Sequence, residues 1–213
     1  RLTRGAVFAT DHTNASRTLL YNIRDLCWDE SLCALFDVPV FALPEVRESS
    51  ASYGETDLDG LLPQPVPICG VMGDSQAALF AERCFQPGMA KVTFGTGSSV
   101  LLNVGHEMLL SENGIVTTIG WVYQGQPVYA FEGIINFTGA TVAWLRDQLK
   151  LIESAAETEV LARSIPDNDG VYLVPAFVGL SAPYWRADVK GAIVGLTPGS
   201  TRSHIARAAL ESI

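Results

Sequence analysis

The chain has 213 residues, of which 48% are hydrophobic and 17% charged, a composition typical of folded domains rather than disordered segments. Its formal net charge of −9 argues against a nucleic acid or an anionic membrane surface as a partner. No apolar run approaches the roughly 20 residues that a membrane-spanning helix needs. The four cysteines form no CxxC pair, which disfavours a metal cluster and favours buried free thiols in the reducing cytoplasm.

The chain begins with two predicted helices. Helical patterns cover 13–23 and 29–36. Short polar side chains that can accept a hydrogen bond from the first turn precede each pattern, which makes Asp11 or Thr13 the N-cap candidate for the first helix and Asp29 for the second.

A turn-rich segment and a predicted strand lead to a candidate catalytic carboxylate. Ser, Gly, Asp and Pro dominate 49–67, which indicates turns and edge structure. The apolar run at 66–72 predicts a buried strand, and the alanine-rich stretch 75–84 predicts a helix. Asp74 lies between them, where α/β folds place catalytic groups but also where a helix takes its cap. Local features leave both interpretations open.

Beyond residue 85 the pattern changes, and we predict a domain boundary there. Strands and helices are interleaved over the rest of the chain. The predicted strands cover 92–94, 98–103, 121–123, 128–130, 171–177 and 191–196, and the predicted helices cover 139–149, 155–164 and 203–213.

Two glycine-containing segments in this second part could contact a phosphate group. Gly95-Thr96-Gly97 joins two strands, and glycines allow successive backbone N–H groups to approach an anion closely. The same residues are also typical of an ordinary turn. Gly139 begins a helix, where a small residue permits either a nearby nucleotide or close packing of the helix on a strand.

Other local signals are weaker. Tyr184 and Trp185 could stack on a base or sugar, although such side chains more often fill a core. The histidines are scattered, and the sequence has no Gly-x-Ser-x-Gly elbow, P-loop or Rossmann glycine fingerprint. A bound nucleotide would therefore need a different architecture.

Taken together, these segments resemble the FGGY family of carbohydrate kinases, and in particular its glycerol kinase-like members. The resemblance covers nearly the whole chain in collinear order. The similar segments are D-H-T-N-A-S-R-T at 11–18, G-D-S-Q-A-A-L-F at 73–80, G-M-A-K at 88–91, G-T-G at 95–97, S-E-N-G at 111–114, W-L-R-D at 144–147, V-P-A-F at 174–177 and G-A-I-V-G-L at 191–196.

The resemblance implies an α/β fold of the actin-like ATPase (ribonuclease H-like) type, with two domains around a cleft, present here as a partial chain. Residues 1–84 would form the C-terminal part of the first domain and 85–213 the N-terminal part of the second. The implied activity is phosphorylation of a small polyol or sugar by ATP with Mg²⁺, in a cytoplasmic homo-oligomer (a dimer or tetramer). The family's phosphate and adenine motifs are absent, so we expect these 213 residues by themselves to be inactive.

The match also assigns roles to single residues. Asp74 would be the catalytic base, would contact the acceptor hydroxyl, and would reach Mg²⁺ through water. His12, Ser75 and Ser99 would contact the substrate. The nucleotide would lie against Gly95, Thr96, Gly97, Gly139 and Ala143.

Several of these positions differ from glycerol kinases. His12, Ser75 and Ser99 stand where glycerol kinases have tyrosine, glutamine and phenylalanine, which suggests a roomier pocket for a longer polyol or a sugar. Ala143 replaces a glutamine. The loop 60–65 lacks the glycine-rich, arginine-containing pattern of a sugar bisphosphate site, so we expect no such inhibition. Glycerol kinase proper and a catalytically silent ligand-binding relative remain the alternatives.

Overall fold

The computed structural model describes residues 2–213, which form two compact units. The first unit runs to Lys91 and also contains Leu101–Ser111 and Val116–Glu132. The second unit contains the remaining described segments, Val92–Val100, Glu112–Ile115 and Gly133–Ile213. Neither unit is continuous in sequence, and the domain boundary near residue 85 stays a prediction.

The first unit begins with short elements. Its strands are β1 (Ala9–Asp11), β2 (Tyr21–Asn22), β3 (Cys27–Trp28), β4 (Glu45–Arg47), β5 (Glu55–Thr56) and β6 (Val66–Pro67). Its helices are α1 (His12–Ala15), α2 (Glu30–Leu35) and α3 (Asp74–Ala81), with 3₁₀ turns at Ser16–Thr18 and Val40–Ala42. Strand β1 pairs in parallel with β4, whereas β2 with β3 and β5 with β6 form antiparallel pairs.

A four-stranded sheet follows in the chain. It contains β7 (Ala90–Phe94), β8 (Ser98–Gly105), β9 (Val116–Tyr123) and β10 (Gln126–Ile135), in the order β7-β8-β10-β9. Strands β9 and β10 form the predicted hairpin, with Tyr123 opposite Gln126 and Gly125 at a positive φ of 71° in the turn. In the first unit, side chains from this hairpin pack with Leu79 of α3 in an apolar core.

The second unit packs three helices against a two-stranded sheet. Its elements are α4 (Gly139–Asp147), α5 (Glu157–Arg163), β11 (Tyr172–Val174), β12 (Ala192–Val194) and α6 (Arg202–Glu211). Its core contains Leu145, Ile152, Leu161, Val171, Leu173, Ala206, Ala208 and Ala209. The small alanine side chains of α6 allow this helix to lie close to α5 and β11.

Several predicted elements are shorter in the structure, and two elements of the first unit differ most from their predicted extent. The sequence predicts the first helix over 13–23, but α1 ends at Ala15, a 3₁₀ turn follows, and Leu19 then takes a φ of 64° that cannot continue a helix. The strand predicted at 66–72 is reduced to β6 in the described structure, and Val66 is 45% exposed. Pro67, which has no N–H group, and Gly70 interrupt the apolar run.

Several predictions of burial are also wrong. The four cysteines are free, but Cys27 and Cys69 are exposed whereas Cys33 and Cys84 are buried. Tyr184 and Trp185 are largely exposed and do not fill a core in this structure.

None of the helices in the described part of the chain has the length and apolar character needed to cross a bilayer.

Candidate active site

Asp74 lies in the first turn of α3 and is exposed. Gly73 is the N-cap of this helix and has extended backbone angles (φ −61°, ψ 145°), so the interpretation of Asp74 as the N-cap is wrong. The Oδ1 atom of Asp74 accepts a hydrogen bond from the backbone N–H of Ser75 at 2.6 Å. An exposed carboxylate fixed to a helix start can meet a ligand without moving.

A polar cavity of about 280 Å³ in the first unit contains Asp74. This volume suits a ligand smaller than a typical drug-sized molecule. The cavity is lined by Asn14, Arg17, Met72, Gly73, Asp74, Ser75, Gln76 and Glu132. Most of these side chains offer hydrogen-bond donors or acceptors, which suits a ligand that carries several hydroxyl groups.

An ion pair between Arg17 and Glu132 forms one side of the cavity. Glu132 lies in β10 and is only 4% exposed, whereas the Arg17 side chain is 45% exposed. Because the guanidinium group has five donors in a fixed fork, pairing with one carboxylate leaves other N–H groups for the cavity. The sequence alone assigns no role to either residue. Arg17 lies inside the D-H-T-N-A-S-R-T segment at 11–18, but no local signal marks Glu132 as its partner.

A buried lysine adds positive charge to the same unit. Lys91 is 5% exposed, and burial lowers the pKa of its ammonium group. The charges of Asp74 and Glu132 act in the opposite direction and raise this pKa. Lys91 therefore lies within electrostatic range of both carboxylates.

His12 lies elsewhere in the first unit. Its side chain is buried, its Nδ1 atom is 2.7 Å from the hydroxyl oxygen of Tyr21, and the two rings meet edge to face. Burial lowers the pKa of His12, while the charges of Asp11 and Glu48 act to raise it. The cavity lining, as described over residues 2–213, includes Ser75 but not His12. A substrate contact for His12 stays a prediction.

The glycine-containing segments come together in the second unit. The backbone N–H of Gly139 donates to the carbonyl of Gly95 at 3.0 Å, and the N–H of Ala140 donates to the carbonyl of Thr96 at 3.0 Å. A Cβ atom at Gly97 would lie 2.6 Å from the carbonyl oxygen of Ile135. Close backbone packing, the alternative left open for Gly139, is therefore present.

The residues of this unit that the sequence predicts as nucleotide or substrate contacts differ in their exposure. Gly95 and Thr96 are exposed, so the outer side of the turn is accessible to a ligand. Ala143 is half-buried in α4, and Ser99 is half-buried in β8. Their contacts with nucleotide and substrate stay predictions.

Among residues 2–213, no group of three or more histidine, cysteine or carboxylate side chains is arranged to hold a metal ion. Mg²⁺ nevertheless commonly binds through one or two carboxylates, with waters and substrate phosphates completing its shell. The carboxylate of Asp74 is exposed, and its contact with Mg²⁺ through water stays a prediction.

Two sequence models of one protein family match the chain. The model described as "FGGY family of carbohydrate kinases, N-terminal domain" matches residues 1–81, and the corresponding C-terminal domain model matches 90–213. The glycerol kinase of Desulfitobacterium hafniense is 55% identical over 212 residues, which are 100% of this chain and 43% of that protein. The glycerol kinase of Carboxydothermus hydrogenoformans is 54% identical, with the same coverage of each chain.

Solved structures show the same similarity. The structure of Plasmodium falciparum glycerol kinase with ADP matches with a TM-score of 0.88 and 40% identity, covering 99% of this chain and 42% of that one. A ligand-bound xylulose kinase from Lactobacillus acidophilus matches with a TM-score of 0.81 and 19% identity, over 96% and 42% of the two chains, which supports the fold. The chain thus spans less than half the length of these relatives.

Proposed function

Since this chain belongs to the FGGY family of carbohydrate kinases, we propose that the full-length protein transfers the γ-phosphoryl group of ATP to a hydroxyl of a small polyol or sugar, with Asp74 as the catalytic base. The observation that carries the proposal is the exposed carboxylate of Asp74 in a polar cavity beside the Arg17–Glu132 ion pair. A carboxylate in this setting can accept a proton, and the surrounding donors can orient the molecule that releases it.

The reaction depends mainly on how the acceptor hydroxyl is positioned relative to the γ-phosphorus. The acceptor hydroxyl would donate a hydrogen bond to Asp74 and lose its proton to the carboxylate as its oxygen bonds to the γ-phosphorus. The bond from that phosphorus to the bridging oxygen would break, and ADP would leave. Asn14, Arg17 and Gln76 offer hydrogen bonds to the other hydroxyls of the polyol. Mg²⁺, when bound, would reduce the negative charge of the phosphates.

The nucleotide would contact the second unit. Gly95, Thr96 and Gly97 form a turn with an accessible outer side, which suits the β- and γ-phosphates, and Gly139 and Ala143 lie in the adjoining helix α4. The solved structure of the P. falciparum relative contains ADP, which supports a nucleotide of this type.

Glycerol is the first candidate for the acceptor, because relatives with 51–55% identity across this chain are named glycerol kinases. A longer polyol or a sugar is the second candidate. It is supported by Ser75, a small side chain that lines the cavity where glycerol kinases have glutamine. The departure at His12 supports it less, because the structure gives His12 a partner in Tyr21 instead.

A panel of acceptors tests the proposal. ADP release by the full-length protein would be measured with glycerol, erythritol, pentitols and ketopentoses. We expect glycerol to give the highest kcat/KM, and a pentitol or ketopentose in first place would favour the roomier pocket. A protein that binds these ligands without releasing ADP would be the catalytically silent relative.

A matched pair of variants tests the base. Asp74→Asn should lower kcat by about 10²- to 10⁴-fold because the amide cannot accept the proton. Asp188→Asn, which changes an exposed aspartate paired with Arg186 in the second unit, should leave kcat unchanged. Full activity of the Asp74→Asn variant would exclude Asp74 as the base.

Light scattering on the same preparations would show whether the protein is the expected dimer or tetramer.

A further inference from the structure

A buried chain of hydrogen bonds ends at the residue before Asp74. The backbone N–H of Gly73 donates to the Oγ1 atom of Thr13 at 2.8 Å, across 60 residues of sequence. The Thr13 hydroxyl in turn donates to the Oδ2 atom of Asp11 at 2.7 Å. Asp11 and Thr13 are both 0% exposed, so solvent does not compete for the bond between them, and the bond to Gly73 is partly buried.

The Asp11 carboxylate is saturated with donors. Its Oδ2 atom also accepts from the backbone N–H of Thr13 at 3.1 Å and from the hydroxyl of Ser49 at 2.6 Å. Its Oδ1 atom accepts from the backbone N–H of Asn14 at 3.1 Å and from the side-chain amide of Asn14 at 2.7 Å. Five donors from three residues therefore hold this side chain in a single orientation.

The carboxylate also fixes the direction of the Thr13 hydroxyl. An ionised carboxylate can only accept hydrogen bonds, so the Thr13 proton must point towards Asp11. A lone pair of the same oxygen then faces the N–H of Gly73. A hydroxyl with free rotation could not offer its acceptor side so consistently.

Gly73 has little freedom on its other sides. A Cβ atom at this position would lie 2.7 Å from the Oε1 atom of Gln76 and 3.4 Å from the Oγ1 atom of Thr13. The N-cap residue of α3 is therefore enclosed by two polar side chains, and the next residue in the chain is Asp74. Movement at Gly73 would be transmitted directly to the carboxylate that lines the cavity.

We propose that Asp11 and Thr13 form a positioning relay for the catalytic base, in which the buried carboxylate orients the Thr13 hydroxyl and that hydroxyl holds Gly73 and the start of α3. This inference rests on the proposed role of Asp74. The two residues do not line the cavity in the described structure, so Thr13 acts on the reaction through Gly73, while Asp11 orients Thr13 and also holds Asn14 of the cavity lining.

The test compares Thr13→Val with Thr13→Ser in the full-length protein. Valine keeps the shape of threonine but loses the hydroxyl, and we expect kcat to fall about 10- to 100-fold, as for a displacement of catalytic groups by up to about 1 Å. The KM for the acceptor should change by less than about threefold, because the relay positions the base rather than the ligand. Serine keeps the hydroxyl and should restore most of kcat.

Thr56→Val is the matched control. Thr56 lies in the same unit and is 8% exposed. Its hydroxyl oxygen accepts a hydrogen bond from the backbone N–H of Leu58 at 3.1 Å. This variant should lower the melting temperature about as much as Thr13→Val without changing kcat. If Thr13→Val does not fold, Ser49→Ala takes its place, since it removes one donor to Asp11 and should lower kcat about threefold.

The outcomes separate the relay from the proposed function. Loss of kcat in Thr13→Val together with rescue by serine supports the relay. The relay is overturned if kcat is unchanged in Thr13→Val, or in Ser49→Ala where that variant is used. It is also overturned if the Thr13→Val and Thr13→Ser variants lose kcat equally. If Asp74→Asn is inactive while Thr13→Val is fully active, the relay fails and the base stands. If Asp74→Asn is fully active, the proposed base itself is wrong.

Discussion

Removing the two partners of the Arg17–Glu132 ion pair should have unequal effects on stability. Arg17→Met would leave the carboxylate of Glu132, a residue 4% exposed, without its guanidinium partner. Breaking a buried pair in this way costs about 3–5 kcal/mol, because an uncompensated charge stays in the interior. Lys91, whose pKa responds to the charge of Glu132, offers some compensation, so we expect about 3 kcal/mol.

Glu132→Gln should cost less. It would leave Arg17 without a carboxylate, but 45% of this side chain is exposed, so water can solvate the guanidinium group. We therefore expect a loss between the values for exposed and buried pairs, about 1–2 kcal/mol. The double variant should be more stable than Arg17→Met, since it no longer buries an unpaired carboxylate.

A double-mutant cycle would measure this difference. Urea unfolding of the full-length protein would be followed by tryptophan fluorescence, and the free energies compared for the transition that contains the first unit. The reasoning predicts that Arg17→Met is the most destabilised of the three variants. An Arg17→Met variant no less stable than Glu132→Gln, or strictly additive losses in the double variant, would contradict it.

Two further predictions concern pH and backbone packing. Because burial lowers the pKa of His12, the unfolded chain binds its proton more readily, so stability should be fully present above about pH 6.5 and decrease as the pH falls below it. Melting temperatures from pH 5 to 8 should show this slope in the wild-type protein and a weaker slope in His12→Phe. Gly97→Ala should cost about 1–3 kcal/mol and raise the KM for ATP, because the added Cβ would lie 2.6 Å from the carbonyl oxygen of Ile135. Gly133→Ala, where a Cβ meets no atom within 4 Å, is its control, and an equal loss in both variants would refute the steric argument.

Much of the local structure could be predicted from the sequence, because it depends on residues that are only a few positions apart. The N-cap Asp29, the helix that begins at Gly139 and the hairpin turn at Gly125 depend on hydrogen bonds and backbone angles within a few residues. The family resemblance likewise depends on motifs that can be read directly from the chain, and the family models and relatives confirmed it.

The partners in the candidate site were decided by the tertiary structure. Glu132 lies 115 residues from Arg17, and Gly73 lies 60 residues from Thr13, so no local pattern could pair them. Burial also depends on which segments cover a position, which is why Cys69 is exposed although its apolar neighbours predicted a buried strand. Sequence determined which residue types were present near Asp74, whereas long-range packing determined which of them share its cavity, because contacts between distant segments form only when the whole unit folds.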